Sequence, residues 1–369
     1  MRLAVLGACP FPVPQGSQVF LQDTVRSLQN AGHEVHIVVY GYGLGESPPD
    51  LHVHRCRDFF ARKTDAGPSL LKPVLDVSLG MTLRRVVKTY SIECVLAHNY
   101  EALITAWASG VRPIVYQAHN AMSDELPHYF GNNAWAGIAG TMLDRVFPQK
   151  AQHVVVPHEP LKAYLCKCGC VPDMVSVSPP PAPLDAFGPA LYSDDQPFVV
   201  YTGNLDAYQN LPFLEKVAGL ARTALPGLRF VFATGAPKAP SWAEYRHTPD
   251  FGSLKSILTR DCIVVCPRVS WSGYPIKLLN AMAAGRPIVA CHGSAHPLVH
   301  GENALLAPDD DADTFATHVI ELAQSRARRE CLGQAARATA ENSHNPVDFA
   351  RMIASTCEAA VRKPVTRMV

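Results

Sequence analysis

Residues whose type and spacing suit chemistry on a phosphate gather in the stretch Ser272–Gly285, Ser-Gly-Tyr-Pro-Ile-Lys-Leu-Leu-Asn-Ala-Met-Ala-Ala-Gly. Gly273 permits a tight turn, and Pro275 suits the first turn of a helix, where its missing N–H costs nothing. Ile276, Leu279 and Met282 recur at helical spacing, and Leu278 and Ala283 widen the apolar face. Gly285 is placed to close that helix, and Pro287–Cys291 reads as a strand buried on both faces. A glycine loop feeding a helix N-terminus turns free N–H groups and the positive end of the helix dipole toward an anion. The same geometry serves plain α/β packing, so the stretch by itself marks a candidate anion site and no more.

A second candidate is His119, in Tyr116-Gln117-Ala118-His119-Asn120, directly after the apolar run Pro113–Gln117. Ligands of open parallel sheets bind at the carboxyl ends of strands, which is where this residue falls. His98 stands at the same place after the preceding run, Cys94–Ala97. The chain has 15 histidines, so a helix-capping role for His119 remains open. Thr202–Asn210 is the matching strand-to-helix turn of the second half, with Gly203, Asn204 and Gln209. Cys166-Lys-Cys-Gly-Cys170 invites a metal reading, but three thiols so close cannot easily wrap one zinc and no fourth ligand follows at standard spacing. No metal and no cofactor are expected.

The elements that must position these residues follow a repeated rhythm. Residues 2–8 form an apolar strand, Pro10–Ser17 a proline and glycine loop, and Gln18–Ala31 a helix stopping at Gly32. His33–Tyr40 is the next strand, giving the β-loop-α-β opening of a doubly wound sheet. The opening lacks Gly-x-Gly-x-x-Gly, which argues against a dinucleotide. Further units continue to Met174–Val177. Ser178–Pro183 (Ser-Pro-Pro-Pro-Ala-Pro) is a stiff linker, and the rhythm then restarts at Phe198–Thr202. A length of 369 residues exceeds what one core serves, so two domains are expected.

A formal net charge of +1 provides no global field for nucleic acid. The amino-terminal run is too short for a signal peptide and no stretch reaches transmembrane length, so the expected location is cytoplasmic. Eleven cysteines then read as reduced thiols. Arg57–Lys63 and Leu70–Tyr90, with Lys72, Arg84, Arg85 and Lys88, mix cations with apolar residues. That composition suits peripheral contact at the inner face of a membrane or a lipid-linked acceptor, or else an amphipathic helix with a solvated basic face.

Nearly the whole chain resembles the retaining glycosyltransferases of family 4. Their motif runs Glu-Gly-Phe-Gly, four apolar-rich residues, then Glu-Ala-Met-Ala-Ala-Gly-x-Pro-Val-Val-Ala, and Ser272–Cys291 is similar to it except at the two glutamates. The proline-rich loop with Gly16-Ser17, the Gly32-His33-Glu34-Val35 before the second strand, and Gly301–Leu306 are also similar. The resemblance implies an α/β GT-B fold of two Rossmann-like doubly wound domains facing across a cleft. Residues 1–180 would form the acceptor-side domain and 181–345 the nucleotide-sugar-binding domain, with 346–369 a helix crossing back to the first. It implies transfer of a sugar from a nucleoside diphosphate to an acceptor hydroxyl with retention and without metal, in cell-envelope glycolipid or glycan assembly. His119 would lie beside the reacting carbon. His98 and Asn120 would face the acceptor. Gly16, Ser17, Gly203, Asn204, Gln209, Ser272, Gly273, Tyr274, Pro275, Ile276, Lys277, Leu278 and Asn280 would contact the donor.

Four positions depart from the family pattern. Ser272 and Asn280 stand where it has two glutamates, for sugar hydroxyls and ribose. Asn204 and Gln209 stand where it has an arginine and a lysine that neutralise the leaving diphosphate. Amides still donate hydrogen bonds but supply no charge, and Lys277 and Arg268 are the nearby cations that would have to compensate. Two other readings stay open: a catalytically weak nucleotide-sugar-binding partner subunit, and another GT-B enzyme such as a nucleotide-sugar epimerase.

Overall fold

The computed structural model describes residues 1–13, 15–58, 72–130 and 133–362. The first compact unit contains Met1–Val13, the described residues from Ser17 to Pro181, and the chain from Pro346 onward. The second contains Ala182–Asn345 together with Gln15 and Gly16.

In the first unit the order is β1 (Arg2–Gly7), α1 (Gly16–Asn30), β2 (Glu34–Val39), β3 (His52–Arg55), α2 (Lys72–Thr89), β4 (Cys94–His98) and α3 (Tyr100–Ala108). Then come β5 (Ile114–Gln117), α4 (Met122–Tyr129), α5 (Ala134–Val146), β6 (His153–Val156), α6 (Glu159–Lys167) and β7 (Val175–Val177). The strands form one parallel sheet in the order β3-β2-β1-β4-β5-β6-β7. β1 registers Leu6 against Ala97 and Gly7 against His98, and β4 registers His98 against Gln117. The ends of β4 and β5 therefore lie side by side, which brings His98 and the residues after Gln117 to one edge of the sheet.

The second unit contains β8 (Phe198–Thr202), α7 (Leu211–Ala224), β9 (Phe230–Thr234), β10 (Glu244–His247), α8 (Phe251–Leu258) and β11 (Cys262–Cys266). It continues with α9 (Ile276–Ala283), β12 (Ile288–Cys291), β13 (Leu305–Ala307), α10 (Ala312–Gln324) and α11 (Arg326–Ser343). Its sheet is also parallel, ordered β10-β9-β8-β11-β12-β13. The inner strands β8, β9, β11 and β12 are buried along their whole length because both faces are covered. Val199, Tyr201, Ile263, Val265 and Val289 pack on one side with α7 and α10, while Val200, Val231, Val264, Ile288 and Ala290 pack on the other with α9. α12 (Pro346–Arg362) buries Phe349, Ala350, Ile353, Cys357 and Ala360 and packs within the first unit against β4, β5 and β6.

Two buried guanidiniums tie the second unit's loops to its helices. Arg329 on α11 donates from Nη2 to Asp261 Oδ2 at 2.9 Å and to the Ser193 carbonyl at 2.7 Å, and from Nη1 to the Leu322 carbonyl at 2.8 Å. Arg286 donates from Nη1 to the carbonyls of Leu191 and Arg260, each at 3.0 Å. Removing one partner of such a buried pair leaves a charge without compensation, so Arg329→Ala is expected to lower unfolding free energy by about 3–5 kcal/mol. Urea titration followed by circular dichroism checks this, and an unchanged midpoint would show that the network contributes nothing.

Candidate active site

The site residues form two clusters, one in each unit. In the second unit, the cluster is built where β8 and β11 end and α9 begins. Pro275 has an extended backbone and caps α9, which starts at Ile276, so the proline stands just before the first turn that its sequence context suggested. No side chain caps this end, so the first N–H groups have no side-chain acceptor. Gly285, at φ +62°, closes the helix in the left-handed conformation expected of it.

Lys277 is in the first turn of α9. It is not a solvated surface cation. Its Nζ donates to Gln209 Oε1 at 2.6 Å and stands 4.2 Å from the centroid of the Tyr201 ring. Burial lowers its pKa to about 8; Cys266 opposes that shift and the nearby Arg268 charge adds to it. Gly203 stands beside the ammonium in a backbone conformation, φ +113°, that favours glycine. Arg268 lies over the Tyr208 ring, 5.2 Å from its centroid, and its Nη2 donates to Ser270 Oγ at 3.0 Å. A Cβ on Gly273 would fall 2.2 Å from that same Nη2, so only glycine lets the guanidinium lie against the loop.

Asn204 and Gln209 do more than stand in for absent cations. Gln209 Nε2 donates to Asn204 Oδ1 at 2.8 Å, and Asn204 Nδ2 donates to Tyr208 OH at 2.9 Å and to Asp206. Both amides are thus engaged inside the turn, and the free end of the chain of bonds is the acceptor that holds Lys277. The positive charge here is carried by the first turn of α9, bonded to the β8 turn through Gln209. Tyr201 and Tyr208, which sequence reasoning passed over, supply the aromatic faces on which the two cations rest; β8 read only as a buried strand.

The remaining candidates of this stretch divide by burial. Tyr274 is buried and its hydroxyl is hydrogen-bonded to His344 Nε2 at 3.0 Å, while Leu278 belongs to the core and its N–H donates to the Pro275 carbonyl at 2.9 Å. Ser272 is fully buried and Ile276 packs on the core. Asn280 is half-buried, and its amide makes no hydrogen bond among the described residues.

In the first unit, His98 closes β4 and His119 follows β5 by two residues. His98 Nδ1 and His119 Nε2 are 3.1 Å apart, with the rings edge-on at 86°. Phe20 of α1 packs against both, 5.4 Å from His98 and 5.0 Å from His119, and Phe349 of α12 backs it at 6.0 Å. Phe20 was not legible as a site residue, because in the sequence it is one more apolar position of α1. Burial lowers the pKa of His119 to about 4 and that of His98 well below the usual range, so both are neutral imidazoles at pH 7. Gly16 and Ser17 open α1, and Asn120 Nδ2 donates to Glu125 Oε2 at 2.7 Å. The thiols of Cys166, Cys168 and Cys170 are free, and no group of three or more metal-ligating side chains occurs among the described residues.

Comparison with known proteins agrees with this architecture. Residues 14–186 match the model of Glycosyltransferase Family 4, and residues 196–325 that of Glycosyl transferases group 1. The sucrose-phosphate synthase of Thermosynechococcus elongatus is similar in structure at a TM-score of 0.80 and 16% identity, over 97% of this chain and 98% of that one. HepE of Anabaena, solved in complex with UDP and glucose, is similar at a TM-score of 0.73 and 14% identity, over 97% of this chain and all of that one (100%). A curated relative, the amylovoran biosynthesis glycosyltransferase AmsK of Erwinia amylovora, is 34% identical over 88 residues, which span 23% of this chain and 22% of AmsK.

The fold is GT-B, two Rossmann-like parallel-sheet domains, and by class the chain is a glycosyltransferase. Within that class, residues 14–186 are the part that matches family 4.

Proposed function

We propose that this protein transfers a sugar from a nucleoside diphosphate to an acceptor hydroxyl with retention of configuration. The observation that carries the reading is Lys277, a partly buried ammonium in the first turn of a helix whose N-terminus no side chain caps. Three effects there favour a diphosphate: the helix dipole, a helix start that no side chain caps, and a cation in a low-dielectric setting. Arg268 adds a second charge on the other side of Gly273. These two cations would take the role that a divalent ion plays elsewhere, so transfer is expected to survive EDTA unchanged. In the first unit, His119 would hold a hydroxyl of the donor sugar. HepE was solved with UDP and, separately, with UDP-glucose, which makes uridine donors the first to test. Calorimetric titration with uridine, guanosine and adenosine diphosphate sugars should find one that binds at micromolar strength. Slow hydrolysis or transfer of that donor separates an enzyme from a binding subunit, and isomerisation without acceptor would indicate an epimerase.

For the acceptor we propose a glycan or glycolipid of the cell envelope, reached at a membrane surface. No described helix is long and apolar enough to cross a membrane. Exposed Val74, Val77 and Met81 on α2 are continued along the same helix by exposed Arg84, Arg85 and Lys88. Apolar groups followed by cations suit an anionic lipid surface. The Arg57–Lys63 cluster lies outside the described residues from 59 onward. Co-flotation with phosphatidylglycerol vesicles, absent with phosphatidylcholine and lost in Val77→Glu/Met81→Glu, is the expected result; equal behaviour on both lipids would remove the membrane from the account.

A further inference from the structure

We propose that His98 is a positioning residue, one that fixes His119 in the tautomer protonated on Nδ1 and so makes the open nitrogen of His119 a hydrogen-bond donor. The inference deepens the transferase reading and rests on it for its functional meaning, though not for its geometry. At 3.1 Å, the contact between His98 Nδ1 and His119 Nε2 requires one hydrogen between two nitrogens, and two arrangements supply it.

In the first, His98 Nδ1–H donates to a bare His119 Nε2, and His119 carries its proton on Nδ1. In the second, His119 Nε2–H donates to a bare His98 Nδ1, and the His98 proton sits on Nε2. The atom that decides is His98 Nε2, which is buried and has no hydrogen-bond partner among the described residues. In the second arrangement it would be an orphaned N–H donor in the core, rarer in proteins than an unsatisfied acceptor. The first leaves only a lone pair without a partner. His98 is 1% exposed, with Phe20 against its ring, so it has little room to turn and choose otherwise. Asn99, immediately after it, is held at φ 74° with its side chain accepting from Ala102 N at 3.0 Å, which pins the end of β4.

His119 Nδ1 makes no hydrogen bond among the described residues, and the ring is half-buried rather than enclosed. The locked tautomer therefore presents an N–H to whatever lies beside it. An N–H can hold a sugar hydroxyl through its oxygen lone pair, but it cannot take a proton from an attacking hydroxyl. This fits retention, where no base has to activate the acceptor from the face opposite the leaving group, and it is the reverse of the role a histidine at a strand end usually suggests.

The test is nitrogen-15 NMR of histidine-labelled protein without substrate, with the His119 ring signals assigned by their loss in His119→Gln. The expected result is a protonated Nδ1 and a bare Nε2 on His119 in the wild type. In His98→Leu the proton moves toward Nε2, the commoner tautomer of free histidine. In His98→Asn, whose amide N–H replaces Nδ1–H, it stays on Nδ1. A wild-type His119 protonated on Nε2, or a tautomer unchanged in His98→Leu, overturns the proposal. The wild-type spectrum settles the first point even if a variant fails to fold. The steady-state signature is a kcat lowered about tenfold in His98→Leu, with nucleoside diphosphate affinity unchanged, and restored in His98→Asn, the scale of one neutral hydrogen bond of useful geometry. If no sugar nucleotide is turned over at all, the transferase reading fails while the tautomer assignment stands or falls on the spectra alone.

Discussion

Replacing Lys277 with alanine is expected to lower donor kcat/KM by about 10²–10³, the scale seen when one group that stabilises developing charge is removed. Part of this appears in donor affinity, about tenfold to a hundredfold for a charge-assisted hydrogen bond to a diphosphate. The rest appears only when the sugar–phosphate bond breaks and the diphosphate gains charge. The pH dependence has a definite sign. With a free-enzyme pKa of about 8, lowered by burial, Lys277 is charged below that value and neutral above it. Donor affinity is therefore flat below pH 8 and falls as pH rises through it, toward a tenfold loss per pH unit. Lys277→Arg removes this limb, because a guanidinium stays charged throughout. Affinity unaffected by Lys277→Ala, or a pH profile unchanged in Lys277→Arg, would take the cation out of the site. Gln209→Leu offers a second handle: it strips Nζ of its 2.6 Å acceptor and should weaken donor binding without removing charge.

The second large effect belongs to His119. His119→Ala should lower kcat by about 10²-fold, on the scale of removing one preorganised hydrogen-bond donor that acts in the transition state, with little change in nucleoside diphosphate binding. The separation follows from the assignment of the two clusters, since the proposed diphosphate contacts belong to the second unit and His119 to the first. Because burial lowers the pKa of His119 to about 4, no kinetic limb near pH 6 to 7 should come from it. A break near pH 6.5 that vanishes in His119→Gln would contradict that and restore a proton-transfer role. Isothermal titration with the free nucleoside diphosphate shows whether the donor site survives the substitution.

Much of the fold was legible because both sheets are parallel and buried on both faces. Strands such as Val199–Tyr201 or Ile263–Val265 are apolar without interruption. The strands that escaped reading are sheet edges. His52–Arg55 and Glu244–His247 are polar, with no second face to bury, and Leu305–Ala307 is three residues long and merges with its turn. α4 carries Pro127 inside it and a polar face, which hid its helical period.

The site was legible residue by residue but not as contacts. His119 and Lys277 could be singled out from their places after a strand and before a helix. That Lys277 answers to Gln209, 68 positions earlier, and His119 to His98, 21 positions earlier, depends on register between strands that no local pattern encodes. The same limit bears on two of the four departures from the family pattern. Read along the chain, Asn204 and Gln209 look like lost charge; in the structure they form a neutral brace, and the charge is carried by the helix they face.

Calorimetric titration of the wild type and Lys277→Ala with uridine diphosphate sugars, at pH 7 and pH 9, tests the central claim most directly. Micromolar binding at pH 7, weaker at pH 9 in the wild type and weak at both in the variant, is the predicted result. Equal binding by both proteins at both pH values would place the diphosphate elsewhere. No binding of uridine, guanosine or adenosine diphosphate sugars at either pH would mean that the fold has kept its architecture and lost its donor.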